Sequence, residues 1–435
     1  MVHTFQLIAG IAIFVIAYFF IASEKINKTI VVLLAGGLVM LLHIISQEAA
    51  FEEIDFNVIF LLVGMMVIVS ITKESGIFQY LAIKSAKIAK GNPLTIMILF
   101  SILTGVLSAF LDNVTTVLLL TPVTLLIAIE LGVDPIPFVI IEIISSNLGG
   151  AATLIGDPPN LMIGSAADKG FLSFLTNLAP IVIINYVILI ATLVIMFRGK
   201  FHVSIENKAK IMEFNENKSI TDITLLKKSM AVLGFVILGF LLHEPLEIEA
   251  ATIAIFGAAV LMLITKTDPE EIFKEVEWAT IFFFVGLFIM VGALVELGVI
   301  RYLGEQVLEV TQGDIPLTAS ILVWLSGIAS SIFDNIPYVA TMIPLVKQIK
   351  VSLMGSMGSG FSQAVIDPLW WSLALGSCIG GNGTAIGASA NVIAIGISKK
   401  NGYNISFVRF LKYGAFFTVQ SLIIMHIYIW FRYLA

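Results

Sequence analysis

Ten stretches of the chain are each long and apolar enough to cross a lipid bilayer as a helix, which takes about 20 residues. They cover residues 5–22, 29–45, 56–72, 137–164, 176–197, 229–243, 250–265, 278–297, 368–397 and 405–431. Only 12% of the 435 residues are charged, and a soluble fold of this composition would expose large apolar patches. A soluble enzyme, a nucleic-acid-binding protein and a disordered scaffold are therefore excluded. The sequence predicts an all-α polytopic membrane protein whose main partner is the lipid bilayer.

Two further apolar stretches, 94–130 and 316–350, are interrupted by polar pairs. The interruptions are Asp112-Asn113 in the first stretch and Asp334-Asn335 in the second. Each stretch forms either two short spans or one re-entrant hairpin, and both alternatives return the chain to the same side. The predicted fold has about ten transmembrane helices plus two re-entrant hairpins.

The basic residues predict the orientation. With the N-terminus outside, 19 of the 24 Lys and Arg residues fall on the cytoplasmic side, as the positive-inside rule requires. The first apolar stretch lacks the basic region and cleavage site of a signal peptide, so we interpret it as a helix. We expect a multi-pass protein of the cell (plasma or inner) membrane with both termini outside.

The two halves of the sequence match each other. One constant offset aligns Gly64 with Gly286 and Asp112-Asn113 with Asp334-Asn335, and after a short insertion a second constant offset aligns Asn160 with Asn391. Each half has an odd number of crossings, so the repeats have inverted topology, as in many secondary transporters. The predicted domains are a first membrane repeat (1–198), a cytoplasmic linker (199–228) and a second, inverted membrane repeat (229–435).

The two interruptions are the first candidate site. A helix break at membrane depth exposes backbone groups, which is tolerated only inside protein or around a cavity, and a carboxylate there normally faces a partner or a cavity. The alternative is ordinary helix capping by Asp and Asn at a polar turn outside the membrane. The candidate residues are Asp112, Asn113, Thr115, Thr116, Asp334 and Asn335.

A second pair of elements is rich in glycine and in small polar residues. The paired glycines and the Pro158-Pro159 dipeptide interrupt a helix, and small residues allow oxygen atoms to converge on a hard cation such as Na⁺. Close packing of small-residue helices is the alternative. The candidate residues are Asn147, Gly149, Gly150, Thr153, Gly156, Asp157, Asn160, Gly380, Gly381, Asn382, Thr384, Ser389 and Asn391.

The sequence offers few residues or motifs for disulfide, metal-cluster or catalytic chemistry. The single cysteine, Cys378, excludes an internal disulfide and a cysteine-based metal cluster. The sequence contains no Walker, GxSxG or HExxH motif. Glu142 lies within a predicted helix, where it is either part of a proton pathway or an interfacial residue. We therefore expect no enzymatic activity and no cofactor other than a coupling ion.

The order of the motifs resembles that of the ArsB/NhaD permeases of the ion transporter superfamily. The elements Gly156-Asp157-Pro158-Pro159-Asn160 and Gly387-Ala388-Ser389-Ala390-Asn391 are most similar to those of the branch that contains the pink-eyed dilution (P) protein. The resemblance implies a scaffold domain and a transport domain, a homodimer, and an elevator-like motion. Members of the superfamily export arsenite, exchange Na⁺ for H⁺, or carry dicarboxylates and tricarboxylates.

We therefore predict a secondary active transporter for a small inorganic ion or anion, coupled to Na⁺ or H⁺. The candidate residues would form the binding site, with Na⁺ possible at Asp112, Asn113, Asp334 and Asn335. The alternatives are an arsenite or antimonite efflux permease or a Na⁺/H⁺ antiporter, a citrate-like carrier of di- and tricarboxylates, and a passive ion channel.

Overall fold

A computed structural model describes residues 2–23, 25–357 and 362–434. The described residues form helices throughout, with short turns between them. In order, the α-helices are α1 (Val2–Ser23), α2 (Lys28–Leu41), α3 (Gln47–Glu52), α4 (Phe56–Glu74), α5 (Ile77–Ile88), α6 (Pro93–Phe110), α7 (Asn113–Glu130), α8 (Ile136–Gly150), α9 (Pro158–Ala167), α10 (Phe171–Asn177), α11 (Ala179–Phe197), α12 (Ile205–Glu213), α13 (Ile223–Leu246), α14 (Ala250–Thr265), α15 (Pro269–Ile272), α16 (Trp278–Glu296), α17 (Val299–Thr311), α18 (Ile315–Ile332), α19 (Asn335–Met357), α20 (Gln363–Gly380), α21 (Ser389–Lys400) and α22 (Phe407–Ile429).

The helices confirm the prediction of an all-α polytopic membrane protein. Within the described ranges, nine helices are long and apolar enough to cross a membrane, and three shorter apolar helices, α2, α8 and α14, accompany them. The polar pairs interrupt the helices as expected, because α6 ends at Phe110 and α7 begins at Asn113. Since α6 and α7 have 18 residues each, each is about 27 Å long.

The glycine-rich elements also end helices where the sequence predicted. The stretch 137–164 divides into α8 and α9, and the stretch 368–397 divides into α20 and α21. The loop between α8 and α9 includes residues 151–157, and Pro158 and Pro159 then occupy the first turn of α9. This first turn suits proline because its missing N–H has no intrahelical partner there.

The helix boundaries follow the same two offsets as the sequence. Under the first offset, α6 and α18 match at both ends, and under the second, the first residue of α9 matches the first residue of α21. Packing follows this pattern too. Under the first offset α4 matches α16 and α2 matches α14. Helix α4 lies along α14, and the matching pair, α16 and α2, lies together in the same way. The orientation of the two halves relative to a membrane stays a prediction.

Matched glycines make the close helix contacts possible. A Cβ added to Gly64 on α4 would lie 2.7 Å from the carbonyl carbon of Ala254 on α14, and one added to Gly286 on α16 would lie 2.8 Å from that of Val32 on α2. Real Cβ atoms do not approach a backbone atom this closely. The glycines therefore set the helix separation, as small residues do at other membrane helix interfaces.

The segment that joins the halves packs against the first half. The Lys87 ammonium group on α5 donates to the Glu216 carboxylate at 2.6 Å, and the Thr221 amide donates to the Ser75 carbonyl oxygen at 3.1 Å. Asn207 on α12 donates its side-chain amide to the Leu131 carbonyl oxygen at 3.2 Å. These contacts fix the linker to the ends of α4, α5 and α7.

Candidate functional site

Four helices begin at the two pairs of interrupted elements, and their first turns lie beside one another. They are α7, α9, α19 and α21, whose preceding residues are Asp112, Asp157, Asp334 and Ala388. Helix α9 contacts α19 and α21 contacts α7, so each contact joins the two halves of the chain. The free amides of a helix start carry a partial positive charge. The arrangement brings four helix starts and three carboxylates into one region, although α9 begins with two prolines that have no N–H.

An asparagine network crosses between the halves at this point. The buried Asn147 side chain accepts from the Asn113 amide nitrogen at 3.0 Å. Its own amide nitrogen donates to the oxygens of Asn382 and Asn391, each at 2.9 Å. The Asn382 amide donates in turn to the Ile144 carbonyl oxygen at 3.3 Å. Four predicted site residues therefore form one connected cluster, and Asn147 is its centre.

The matched residues Asn160 and Asn391 each hold the loop that precedes their own helix. The Asn160 amide donates to the Thr153 carbonyl oxygen at 2.9 Å, and the Asn391 amide donates to that of Thr384 at 2.8 Å. The Thr384 hydroxyl donates to the Ser331 carbonyl oxygen at 2.5 Å. The Thr153 hydroxyl makes the equivalent bond to the α6 end at Ala109. These four side chains stabilise the loops.

The predicted glycines lie where backbone segments meet. A Cβ on Gly149 would lie 2.2 Å from the Gly105 carbonyl oxygen, and one on Gly380 would lie 2.5 Å from that of Gly327. A Cβ on Gly150 would lie 2.4 Å from the Gly156 carbonyl oxygen. In the second half, a Cβ on Gly381 would lie 3.3 Å from the carbonyl oxygen of Gly387. Close packing, the alternative that the sequence left open, accounts for these glycines.

Asp157 is a completely buried carboxylate with few hydrogen-bond donors. Its two oxygens accept from the Asn335 amide nitrogen of the other half at 3.3 and 3.2 Å. It makes no side-chain cap to α9, since the two prolines that begin this helix have no N–H to donate. The Cys378 thiol and Asn113 also lie beside it, and among the described residues the buried Asn113 side-chain oxygen has no donor. The hydrogen-bonding neighbours of the carboxylate are thus neutral groups, and an amide oxygen that lacks a donor lies beside it.

Asp112 and Asp334 occupy matched positions but have different surroundings. The Asp112 oxygens accept from the Thr115 amide at 2.7 Å and from the Thr115 hydroxyl at 2.6 Å, and the Thr116 hydroxyl donates to the Asp112 carbonyl oxygen at 2.7 Å. Asp112 therefore caps α7, while the position of this turn relative to the membrane stays a prediction. Its φ of 136° lies in a region that non-glycine residues rarely occupy.

Asp334 forms an ion pair, whereas Asp112 has none within the part of the chain that the structure describes. The Lys28 ammonium group lies 2.6 Å from one Asp334 oxygen and 2.6 Å from the Ser389 hydroxyl. The Ser389 hydroxyl in turn donates to the same Asp334 oxygen at 2.7 Å. The residue that matches Lys28 in the second half is Ala250. The Lys28 ammonium group thus contacts Asp334, which the sequence predicted as a possible Na⁺ ligand.

A cavity of about 340 Å³ opens beside these residues. Its wall includes Lys28, Asp334 and Ser389, together with Pro158 at the start of α9 and Glu277 before α16. All four helix starts contribute to the wall, since Val114 of α7 and Ile336 of α19 line it together with Pro158 of α9 and Ser389 of α21. The cavity lies between the two halves of the chain, next to Asp157.

Comparison with known protein families fits this geometry. A family model described as citrate transporter matches residues 18–376. The chain belongs to the citrate transporter family. Membership of this family indicates a membrane transporter rather than an enzyme. This confirms the general prediction of a transporter.

Relatives in the family agree with this assignment. The chain is 44% identical to an uncharacterized transporter of Mycobacterium tuberculosis over 98% of each protein. It is equally similar, at 44%, to a 46 kDa membrane protein of Mycobacterium leprae over 98% of this chain and 99% of that protein. The P protein of Sus scrofa is 35% identical over 91% of this chain and 56% of its own length. The expected similarity to the P protein is confirmed, and the matching family is that of citrate transporters.

Sequence reasoning missed Lys28 as a site residue. It was counted only as a cytoplasmic charge at the edge of an apolar stretch. Its distinguishing signal is a basic side chain in the first position of a helix, in one half only. Its partner, Asp334, belongs to the other half of the chain, so no local pattern could identify the pair.

Glu142 lies on α8 before Asn147 and makes no hydrogen bond to this cluster among the described residues. It is 1% exposed, and the Thr121 hydroxyl donates to one of its oxygens at 2.5 Å. Thr124 donates to the other oxygen. Helix α7 thus covers the Glu142 side chain, and both a proton pathway and an interfacial position stay predictions.

Proposed function

We propose that the chain is a secondary active transporter that couples a small anion to a cation, Na⁺ or H⁺. The observation that carries the proposal is the carboxylate of Asp157. It is fully buried between the halves, and its hydrogen-bonding neighbours are neutral amide and thiol groups. Among the described residues, the one charge that acts on it is the carboxylate of Asp334. A buried carboxylate without a positive partner is strongly destabilising, and in membrane proteins such groups mark ion and proton pathways.

The surroundings of Asp157 suit a cation in two ways. Carboxylate and side-chain amide oxygens are ligands that hard cations prefer, and the Asn113 oxygen lacks a donor beside it. A proton on Asp157 would also remove the buried charge. Asp157 is therefore proposed as the main coupling residue, in preference to Asp112 and Asp334, whose oxygens have close partners.

The cavity beside Asp157 supports an anionic substrate. Lys28 supplies an ammonium group and Ser389 supplies a hydroxyl, and both groups bind carboxylate or oxyanion oxygens. The start of α21, which has no side-chain cap, adds further positive potential. A volume of about 340 Å³ accommodates an anion of the size of a di- or tricarboxylate. The family name and the Lys28–Ser389 pair together favour a citrate-like carrier as the second, more specific candidate.

The proposal extends to motion and assembly. The helices held by matched glycines, α2 with α16 and α4 with α14, would form the scaffold. The broken elements with α7 and α19 would move against them in an elevator-like way, in inverted repeats and in a homodimer. The protein would lie in the cell membrane with both termini outside.

Thermal unfolding of the purified protein tests the role of Asp157. We expect NaCl, compared with choline chloride at equal concentration, to raise the Tm if Na⁺ is the coupling ion, since a ligand of the folded state stabilises it. If the coupling ion is H⁺, the Tm will instead rise as the pH is lowered. Either dependence should be absent from Asp157→Asn, which keeps the size of the side chain.

Asp268→Asn is the matched control, because Asp268 is an exposed helix cap outside the site. It should retain the full dependence on Na⁺ or pH. The same response in the wild type and in Asp157→Asn would contradict the proposal.

A further inference from the structure

A second cavity, of about 530 Å³, lies apart from the site described above. It is formed by the end of α9, the C-terminal half of α19 and the first half of α20. Lys169, Lys347 and Lys350 contribute to its wall, with Asp168 as the acidic member. These are three of the five basic residues that the predicted topology leaves outside. More than half of the positive charge of that side therefore surrounds one cavity.

The three lysines differ in how their charge is used. Lys169 forms an ion pair with Asp367 at 2.9 Å. Lys347 and Lys350 have no hydrogen-bond acceptor or ion-pair partner among residues 2–23, 25–357 and 362–434. The carboxylate of Glu53 is near enough to Lys347 to be influenced by its charge. The Lys350 ammonium group thus lies in the cavity wall without a contact to any acidic side chain of the described residues.

A buried donor in the same wall points independently to a ligand. Trp370 lines the cavity and is 1% exposed. Its indole N–H has no acceptor among the described residues. A buried donor without a partner is rare in a folded protein and destabilises it. An acceptor within the cavity would satisfy it.

We propose that this cavity binds a small anion with carboxylate or phosphate oxygens. Lys347 and Lys350 supply the charge, and the Trp370 indole donates a hydrogen bond to one anion oxygen. The ligand is either a free anion or the headgroup of an anionic lipid, since both present the same oxygens. This site is separate from the cavity at Lys28, and the inference holds whether or not Asp157 couples a cation.

Calorimetric titration of the purified, full-length protein with citrate and with inorganic phosphate tests the free-anion source. Sodium chloride at the same ionic strength is the reference. Native mass spectrometry of the protein released from micelles that contain phosphatidylglycerol or phosphatidylcholine tests the lipid source. We expect retention of phosphatidylglycerol, or heat of binding with citrate or phosphate, beyond the respective reference.

Two variants assign such binding to the cavity. Lys347→Gln with Lys350→Gln should weaken it tenfold or more, and Trp370→Phe, which keeps an aromatic ring, should weaken it about tenfold. Arg301→Gln is the control, because it removes an exposed charge of the same predicted side outside the cavity. Since Lys347 is exposed, the lysine variant tests the site even if Trp370→Phe fails to fold.

The proposal is overturned if neither source binds above its reference. It is also overturned if binding is unchanged in the double lysine variant, or if Arg301→Gln weakens binding equally. None of these readouts requires transport. An equal Tm response to Na⁺ or pH in the wild type and in Asp157→Asn, with anion binding retained here, would therefore contradict the proposed function alone.

Discussion

Replacement of Asn147 by alanine should destabilise the protein more than any ordinary loss of a buried side chain. Asn147 accepts one hydrogen bond, from Asn113, and donates two, to Asn382 and Asn391. Asn391 cannot rotate to compensate, because its own amide donates to the carbonyl oxygens of Gly381 and Thr384 at 2.7 and 2.8 Å. The substitution leaves one buried donor and two buried acceptors without partners.

The magnitude follows from these three groups. Hydrogen bonds between membrane helices contribute about 0.6 kcal/mol each on average, while each buried polar group without a partner costs about 1–3 kcal/mol. Asn147→Ala should therefore lower the free energy of unfolding by about 2 kcal/mol at least and by as much as about 9 kcal/mol.

Asn185→Ala is the matched control. Asn185 is also buried, at 1% exposure, but accepts a single hydrogen bond, from Ser421 at 3.3 Å. Among the described residues its amide nitrogen has no acceptor. The two substitutions remove the same atoms, so the difference between them measures the network. Reversible unfolding by sodium dodecyl sulfate in mixed micelles gives both free energies. Equal losses in the two variants would refute the central position of Asn147.

Three further predictions concern other contacts. Gly150→Ala should prevent folding, because its Cβ would lie 2.4 Å from a backbone carbonyl oxygen. Gly37→Ala, whose Cβ would have no atom within 4 Å, should leave the Tm unchanged or raised. Equal Tm values for the two variants would contradict this. Lys28→Gln should abolish uptake into proteoliposomes and lower the Tm. Adding Asp334→Asn should restore part of the Tm, because it removes the unpaired carboxylate. A further fall of the Tm in the double variant would count against the ion pair. The hydrogen bond from the Lys87 ammonium group lowers the pKa of the Glu216 carboxyl. The ion pair therefore stabilises the linker at pH values above the usual glutamate pKa of about 4.3. This stabilisation is lost as the pH falls below that value and through the lowered pKa of Glu216. Hydrogen exchange of residues 205–219, corrected for intrinsic rates, should then rise in the wild type and stay level in the variant Glu216→Gln.

The breaks in the helices could be predicted from the sequence because their causes are local. Asp112 and Asn113 are polar residues within an apolar stretch, and Pro158 with Pro159 cannot continue a helix. The Asp-Asn pairs and the paired glycines occur twice in the chain, which distinguished them from chance. Helices α5 and α17 were missed for an equally local reason, since neither lies in an apolar stretch of membrane-spanning length.

The chemistry of the site depended on contacts that no local pattern contains. Asp157, Asp334 and Asp112 were equivalent in the sequence as acidic residues at helix breaks. In the structure, Lys28 is paired with Asp334, Thr115 is bonded to Asp112, and Asp157 has only neutral neighbours among its hydrogen-bond donors. The chain segments that supply these partners are distant for two of the three carboxylates.

Uphill accumulation in proteoliposomes tests the central claim, coupled transport, most directly. With radioactive citrate at the same concentration on both sides, an inwardly directed Na⁺ or H⁺ gradient is imposed at zero membrane potential. We predict that the wild-type protein accumulates citrate above its starting concentration, and that Asp157→Asn does not. Citrate that equilibrates across the wild-type protein but never accumulates under either gradient would contradict the account and would identify a passive pathway.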